Sequence, residues 1–183
     1  MSPRIILFDQ PDRFTCGTVG EPGERTFFIQ ARSGARLTSV SLEKSQVQAL
    51  ADRLTYMVRE IRGNDPSILL AQLPRDDAPL DTPIDEEFRV GVIGLAFDTA
   101  RTVIQLDLQA VSENTEEVPD FIDVDDLSSD LDILRVIISP SEVIRFSKRA
   151  LAVVNAGRLP CPFCGGPIDP RGHLCPRANG YRR

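Results

Sequence analysis

The sequence predicts an α+β fold, and three observations carry that prediction. Segments of strand-like composition come in runs of three. Each run ends on a stretch where apolar residues recur every three to four positions. The last two dozen residues then break both patterns with three of the four cysteines and the one histidine. The expected architecture is two β-β-β-α units, read either as a duplication or as a chance likeness of two meander-plus-helix segments, that form one antiparallel sheet or two with two main helices, plus a small zinc-binding tail.

The elements follow in order. The apolar run around Arg4–Phe8 reads as a short strand. "RFTCGTVG" (13–20) and "RTFFIQARSG" (25–34) read as two more, joined through "EPGE", whose proline and glycine suit a turn. "ARLTSVSL" (35–42) supplies Leu37, Val40 and Leu42 as the apolar members of a half-buried strand. The period then changes. Val47, Leu50, Leu54, Met57, Val58 and Ile61 mark one face of an amphipathic helix, with Gly63 as its expected end.

Residues 64–86 carry prolines and acids and read as a linker across the surface, tethered by Ile68–Leu70 and Leu73. The second unit, 87–157, repeats the order. "EEFRVGVIGLAF" and "TVIQLDLQAV" form a hairpin around "DTAR", and "LDILRVIIS" gives a third strand. "PSEVIRFSKRALAVVNAG" gives a helix with Val143, Phe146, Ala150, Val153 and Val154 on one face. Ser139 and Pro140 suit its start and Gly157 its stop. Phe14, Gly17 and Gly20 align with Phe88, Gly91 and Gly94 at one offset. Val40, Leu42, Val47, Leu50, Arg53 and Val58 align with Val136, Ile138, Val143, Phe146, Arg149 and Val154 at another. The difference falls on an insert at 112–132 with nine acids and no base, which reads as a solvated loop or a docking surface for a basic partner.

Charge is divided unevenly. Residues 157–183 hold five arginines against Asp169, so the rest of the chain carries a net charge of −10 within an overall −6. That balance argues against nucleic acid wrapping the body and leaves the tail as the anion-binding surface. No run approaches the length of a membrane span, and the start lacks an export-signal pattern, so the cytoplasm is the expected compartment. In a reducing compartment, clustered cysteines read as metal ligands or redox groups.

The tail, 158–183, contains "CPFCGGPIDPRGHLC". Cys161 and Cys164 offer two thiolates on one tight turn, where glycine lets backbone amides approach the sulfurs. His173 and Cys175 offer the second pair, and a turn at Leu174–Pro176 is expected to bring both to the metal. Four such ligands suit one tetrahedral Zn²⁺ and leave no open position, so the metal would be structural. A redox Cys-x-x-Cys pair and plain surface cysteines are the competing readings. The redox reading wants a helix start beneath the first cysteine, whereas proline and glycine follow here. With His173 committed, no imidazole remains for a Ser-His or Cys-His pair. Cys16 reads as a small buried residue, and no phosphate-binding loop is present. Glu87, Asp98 and Asp107 are the carboxylates available to a divalent cation, though their spacing fits hairpin ends and solvent faces better.

These stretches, together with "CGTVGEPGERTFFIQAR", "SLEKSQVQALADRL" and "EFRVGVIGLAFD", resemble an actinobacterial family of conserved proteins without assigned activity, domain of unknown function 3090. The resemblance spans essentially the whole chain. It implies a bacterial, cytoplasmic protein with its tail motif at Cys161, Cys164, His173 and Cys175, and it implies no reaction.

Three functional classes follow. The leading one is a non-enzymatic zinc-containing adaptor whose basic tail docks on a protein or nucleic-acid partner and not on a membrane. The second is an RNA-binding factor working through Arg177, Tyr181, Arg182 and Arg183. The third is a carboxylate-metal hydrolase or a small-molecule binder.

Overall fold

The computed structural model describes residues 3–112, 121–127, 130–157, 160–166, 168 and 173–177. Four strands open the chain: β1 (Ile5–Asp9), β2 (Arg13–Val19), β3 (Thr26–Ser33) and β4 (Arg36–Leu42). Helix α1 (Lys44–Asn64) follows, then β5 (Glu86–Asp98), β6 (Val103–Ala110), the two-residue β7 (Phe121–Ile122), β8 (Ile133–Ile138) and helix α2 (Pro140–Asn155). The α+β class is as the sequence predicts.

The strands form one mixed sheet in the order β1-β8-β6-β5-β4-β3-β2, with β7 added beside β5. Two antiparallel meanders, β2-β3-β4 and β5-β6-β8, meet at a parallel β4–β5 pairing. The expectation of purely antiparallel sheet is corrected there and at β1, which runs parallel to β8. A parallel pair needs a long return connection, and residues 65–85 supply it after α1. β1 and β2 end the strand path on opposite sides, yet only residues 10–12 join them. Four Cα steps reach about 14 Å, so the sheet coils until its ends approach each other. Arg36, the first residue of β4, closes the approach. Its guanidinium lies 4.0 Å from the Phe8 ring centroid and donates to the Leu7 carbonyl of β1.

The concave face is the core. Registers Cys16–Ile29–Val40 and Leu95–Leu106–Val136 place apolar side chains in rows across neighbouring strands. Both helices lay their apolar stripes there: Val47, Leu50, Leu54 and Val58 from α1, and Val143, Phe146, Ala150 and Val154 from α2. Phe14 stacks on Phe146 with ring centroids 4.4 Å apart. α2 starts where the sequence says. Ser139 Oγ accepts from the Glu142 amide and Pro140 takes the first turn. α1 does not stop at Gly63 but runs to Asn64 and ends on Asp65, whose amide still donates to Ile61. A single glycine costs a helix only about 1 kcal/mol, so the residue beyond it sets the end.

The other face of β2-β3-β4 is polar and also buried. Thr15, Gln30, Ser39 and Ser41 lie beneath residues 76–86. This strap is held by sequence-distant contacts. Arg13 bonds Asp76 at 2.9 Å through both Nε and Nη2 and Asp81 at 2.9 Å through Nη1. Gln30 donates to the Asp81 carbonyl and accepts from its amide.

The described part of the acidic insert is not the solvated loop its composition suggests. Phe121 packs against the core, while Val124 and Leu127 cover Gly94, where a Cβ would meet each at 3.1 Å. Residues 113–120 lie outside the described residues. The two halves agree well along the stretch from the third strand through the helix. Val40 and Val136, Leu42 and Ile138, Val47 and Val143, and Leu50 and Phe146 are all buried. The first-strand alignment does not carry over. Gly20 is a turn residue at φ 102°, whereas its partner Gly94 sits inside β5.

Candidate metal centre

Residues 161–166 form a closed turn beyond α2. The Gly165 amide donates to the Cys161 carbonyl at 2.8 Å, and the Cys161 amide donates back to the Gly166 carbonyl at 2.7 Å. Gly165 has φ 74°, a left-handed conformation that a side chain rarely adopts, so glycine is required there. Folding the chain this tightly aims amides at sulfur. The Cys164 and Phe163 N–H groups bond Cys161 and bring its thiol down to about 6. The Gly166 N–H acts likewise on Cys164. Burial and the neighbouring Cys161 and Cys175 sulfurs outweigh it, so the Cys164 thiol stands above its ordinary value.

The four predicted ligands come together. One donor atom from each of Cys161, Cys164, His173 and Cys175 lies within 4.8 Å of every other. Cys161 Sγ is 3.8 Å from Cys175 Sγ, and Cys164 Sγ is 3.1 Å from His173 Nε2. Metal–sulfur bonds near 2.3 Å in a tetrahedron require sulfurs about 3.8 Å apart, which is the Cys161–Cys175 spacing, so the cluster is consistent with a Zn²⁺-sized ion. No turn between His173 and Cys175 is needed, which corrects the sequence expectation. His173 is half-buried, Cys175 is buried, and Leu174 between them is 86% exposed. That is the alternation of extended chain, in which residues two apart share a face. The chain turns only at 176–177.

Two residues that sequence reasoning passed over are exposed beside the cluster, one in the turn and one in the extended stretch. Phe163 is 65% exposed and Leu174 86%, each lodged between two ligands. An apolar side chain flanked by ligands points away from the metal, and that pattern was visible in "CPFC" and "HLC". Arg177 is exposed and donates to the Phe163 carbonyl at 3.2 Å. Tyr181, Arg182 and Arg183 lie outside the described residues.

Elsewhere the candidate groups are used structurally. Glu87 pairs with Arg4. Asp98 accepts from the Ala100 and Arg101 amides in the β5–β6 turn. Asp107, expected on a solvent face, is fully buried and binds Arg135. The three carboxylates do not converge, and Cys161, Cys164, His173 and Cys175 form the metal-competent cluster among the described residues. Cys16 is buried in the core, which pushes its thiol up to about 12 and makes it a packing group rather than a nucleophile.

Fold and site together define an α+β domain of one coiled sheet and two helices that carries a Cys₃His cluster able to hold a metal ion. The chain belongs to the family described as Protein of unknown function (DUF3090), which it matches over residues 6–175, a span that includes all four residues of the cluster. Neither the curated proteins nor the solved structures contain a match to it. Among the described residues, no helix is long and apolar enough to cross a membrane.

Proposed function

We propose that the chain is a zinc-containing, non-enzymatic binding protein whose metal folds a small docking module at the end of the body. The convergence of four donor atoms within 4.8 Å carries this reading. Cys161, Cys164, His173 and Cys175 would hold one Zn²⁺, which supplies cross-linking and no chemistry, because four protein ligands fill a tetrahedral site. A domain with its own core does not need the metal to fold, so the metal serves the tail. A thiolate site of this kind belongs in a reducing compartment, and we assign the protein to the bacterial cytoplasm.

The docking residues are Phe163 and Leu174, exposed on the two segments that carry the cluster, together with Arg177, which bonds the Phe163 carbonyl. Two large apolar side chains so exposed suit a partner that covers them, and arginine at the edge suits an acidic one. A protein partner is the first reading. Single-stranded RNA is the second, favoured by the placement of Phe163 beside Arg177, because a ring and a guanidinium can both stack on bases.

The test compares the intact chain with Phe163→Ala/Leu174→Ala, zinc content being measured in both. A partner retained by the intact chain after RNase treatment, and lost by the zinc-bound variant, supports the protein reading. RNase-sensitive recovery, with affinity falling steeply as salt rises, supports RNA. Equal recovery by both proteins removes the docking face.

A further inference from the structure

One wall of a groove is α2 and the other is the chain leading into the strap. Residue 71 is fixed to the start of α2, its amide donating to Ser141 Oγ at 2.9 Å. Residue 78 is fixed to the middle of α2, its carbonyl accepting from Arg149 Nη2 at 3.0 Å. The eight helical residues between these anchors span about 12 Å, while the seven strap residues reach about 23 Å when extended. That stretch of chain is therefore long enough to stand off the helix. Beneath it lies a groove of about 830 Å³, at the upper end of the size usual for small-molecule sites.

The lining is amphipathic. Leu73, Ile144 and Leu151 give it an apolar floor, and Arg75, Arg145, Lys148 and Arg149 bring cations from both walls. The acids present are Asp76 and Asp77, and Asp76 is already bound by Arg13. Arg149 donates to the Cys16 and Ala78 carbonyls, and the Asp76 carboxylate, bound by Arg13, also feels its charge. Arg145 meets Glu142 only at 3.8 Å, and among the described residues no carboxylate pairs with Arg75 or Lys148. This positive groove sits on a body whose net charge is −10. Such a background repels long polyanions while the groove attracts a small one.

We propose that this groove binds a small amphipathic anion, a phosphomonoester with a flat apolar body. Two walls of cations suit a dianion that accepts from both at once, and guanidinium forks match phosphate oxygens. The apolar body lies on Leu73, Ile144 and Leu151. The site is independent of the metal centre.

The probe is 2-naphthyl phosphate, titrated calorimetrically into the full zinc-bound chain alongside inorganic phosphate and 2-naphthol. One saturable site is expected, about tenfold tighter than for phosphate because the ring is buried as well. Lys148→Glu on the helix and Arg75→Glu on the strap should each weaken it about tenfold or more, the cost of one charged hydrogen bond. Arg59→Glu on α1, the same charge change on a helix outside the groove, should leave it unaltered. All three positions are exposed, and unchanged melting curves establish that the variants fold. Absence of saturation below about 1 mM, equal affinity for phosphate or 2-naphthol, or equal loss with Arg59→Glu overturns the assignment. So does full competition by a peptide of residues 113–132, which would make the groove a seat for the acidic insert.

Discussion

Asp107 is fully buried on β6, and the Arg135 guanidinium of β8 holds both its oxygens, at 2.8 and 2.6 Å. The two residues face each other in register across the strands. Gln105 adds a third hydrogen bond at 3.0 Å. Arg135 retains a path to solvent and Asp107 has none. Removing the arginine should therefore cost more than removing the acid. Arg135→Ala strands a buried carboxylate and should destabilise the fold by about 3–5 kcal/mol. Asp107→Ala should cost about 2 kcal/mol, since Arg135 can turn outward. Urea denaturation of both variants checks the order, and equal costs would mean that Asp107 is reached by water.

The strap confers acid sensitivity. Burial raises the Asp76 carboxyl, but the hydrogen bonds and charge of Arg13, with the charge of Arg149, outweigh it and leave the group below the ordinary carboxylate range. A depressed folded pKa contributes stability that is present above the unfolded value, about 3.9, and lost as pH falls through the folded value. Asp132, held by Arg4, acts in the same direction. Urea midpoints should drop between pH 5 and pH 2.5, numbers chosen to bracket roughly those pKa values. Arg13→Ala should lower the neutral-pH midpoint and flatten the acid limb. An acid limb of unchanged depth in that variant would remove Arg13–Asp76 from the account.

Gly17 is required by a neighbour rather than by its own backbone. A Cβ there would lie 2.6 Å from Leu80 Cγ, the side chain that seats the strap on β2. Gly17→Ala should cost about 1–3 kcal/mol by overpacking. In a Leu80→Ala background the same change should cost less than about 1 kcal/mol, because the obstruction is gone. Additive costs would show that the strap does not rest on Gly17.

Thiol chemistry should separate the four cysteines. After zinc is removed by a chelator, Cys161, Cys164 and Cys175 should react with a thiol reagent, and Cys16 only on unfolding, given its place in the core and its raised pKa. Reaction of Cys16 at the tail's rate would mean that the β2-β3 core opens readily.

Much of this was legible in the sequence because local signals agreed with the global fold. α2 was readable from Ser139, Pro140 and its apolar stripe, and the members of the metal-competent cluster were readable from residue type and spacing. What misled was composition used in place of position. Nine acids concealed Phe121, Val124 and Leu127, which seat the insert against β5. Asp107 was expected at a hairpin end or on a solvent face, and Arg135 from the next strand covers it instead. No local pattern says that a polar face will be covered. The parallel β4–β5 pairing was unreadable for a related reason. It depends on the return path through residues 65–85, which is set by Arg13, Gln30 and Gly17 far away in the sequence.

The central claim is that the tail is built around one zinc ion held by Cys161, Cys164, His173 and Cys175. Native mass spectrometry of the chain purified without added metal tests it most directly, with Cys164→Ala alongside. One zinc per intact chain is predicted, together with none in the variant and an unchanged far-ultraviolet spectrum of the body. A metal-free intact chain, or a variant that keeps its zinc, would contradict it.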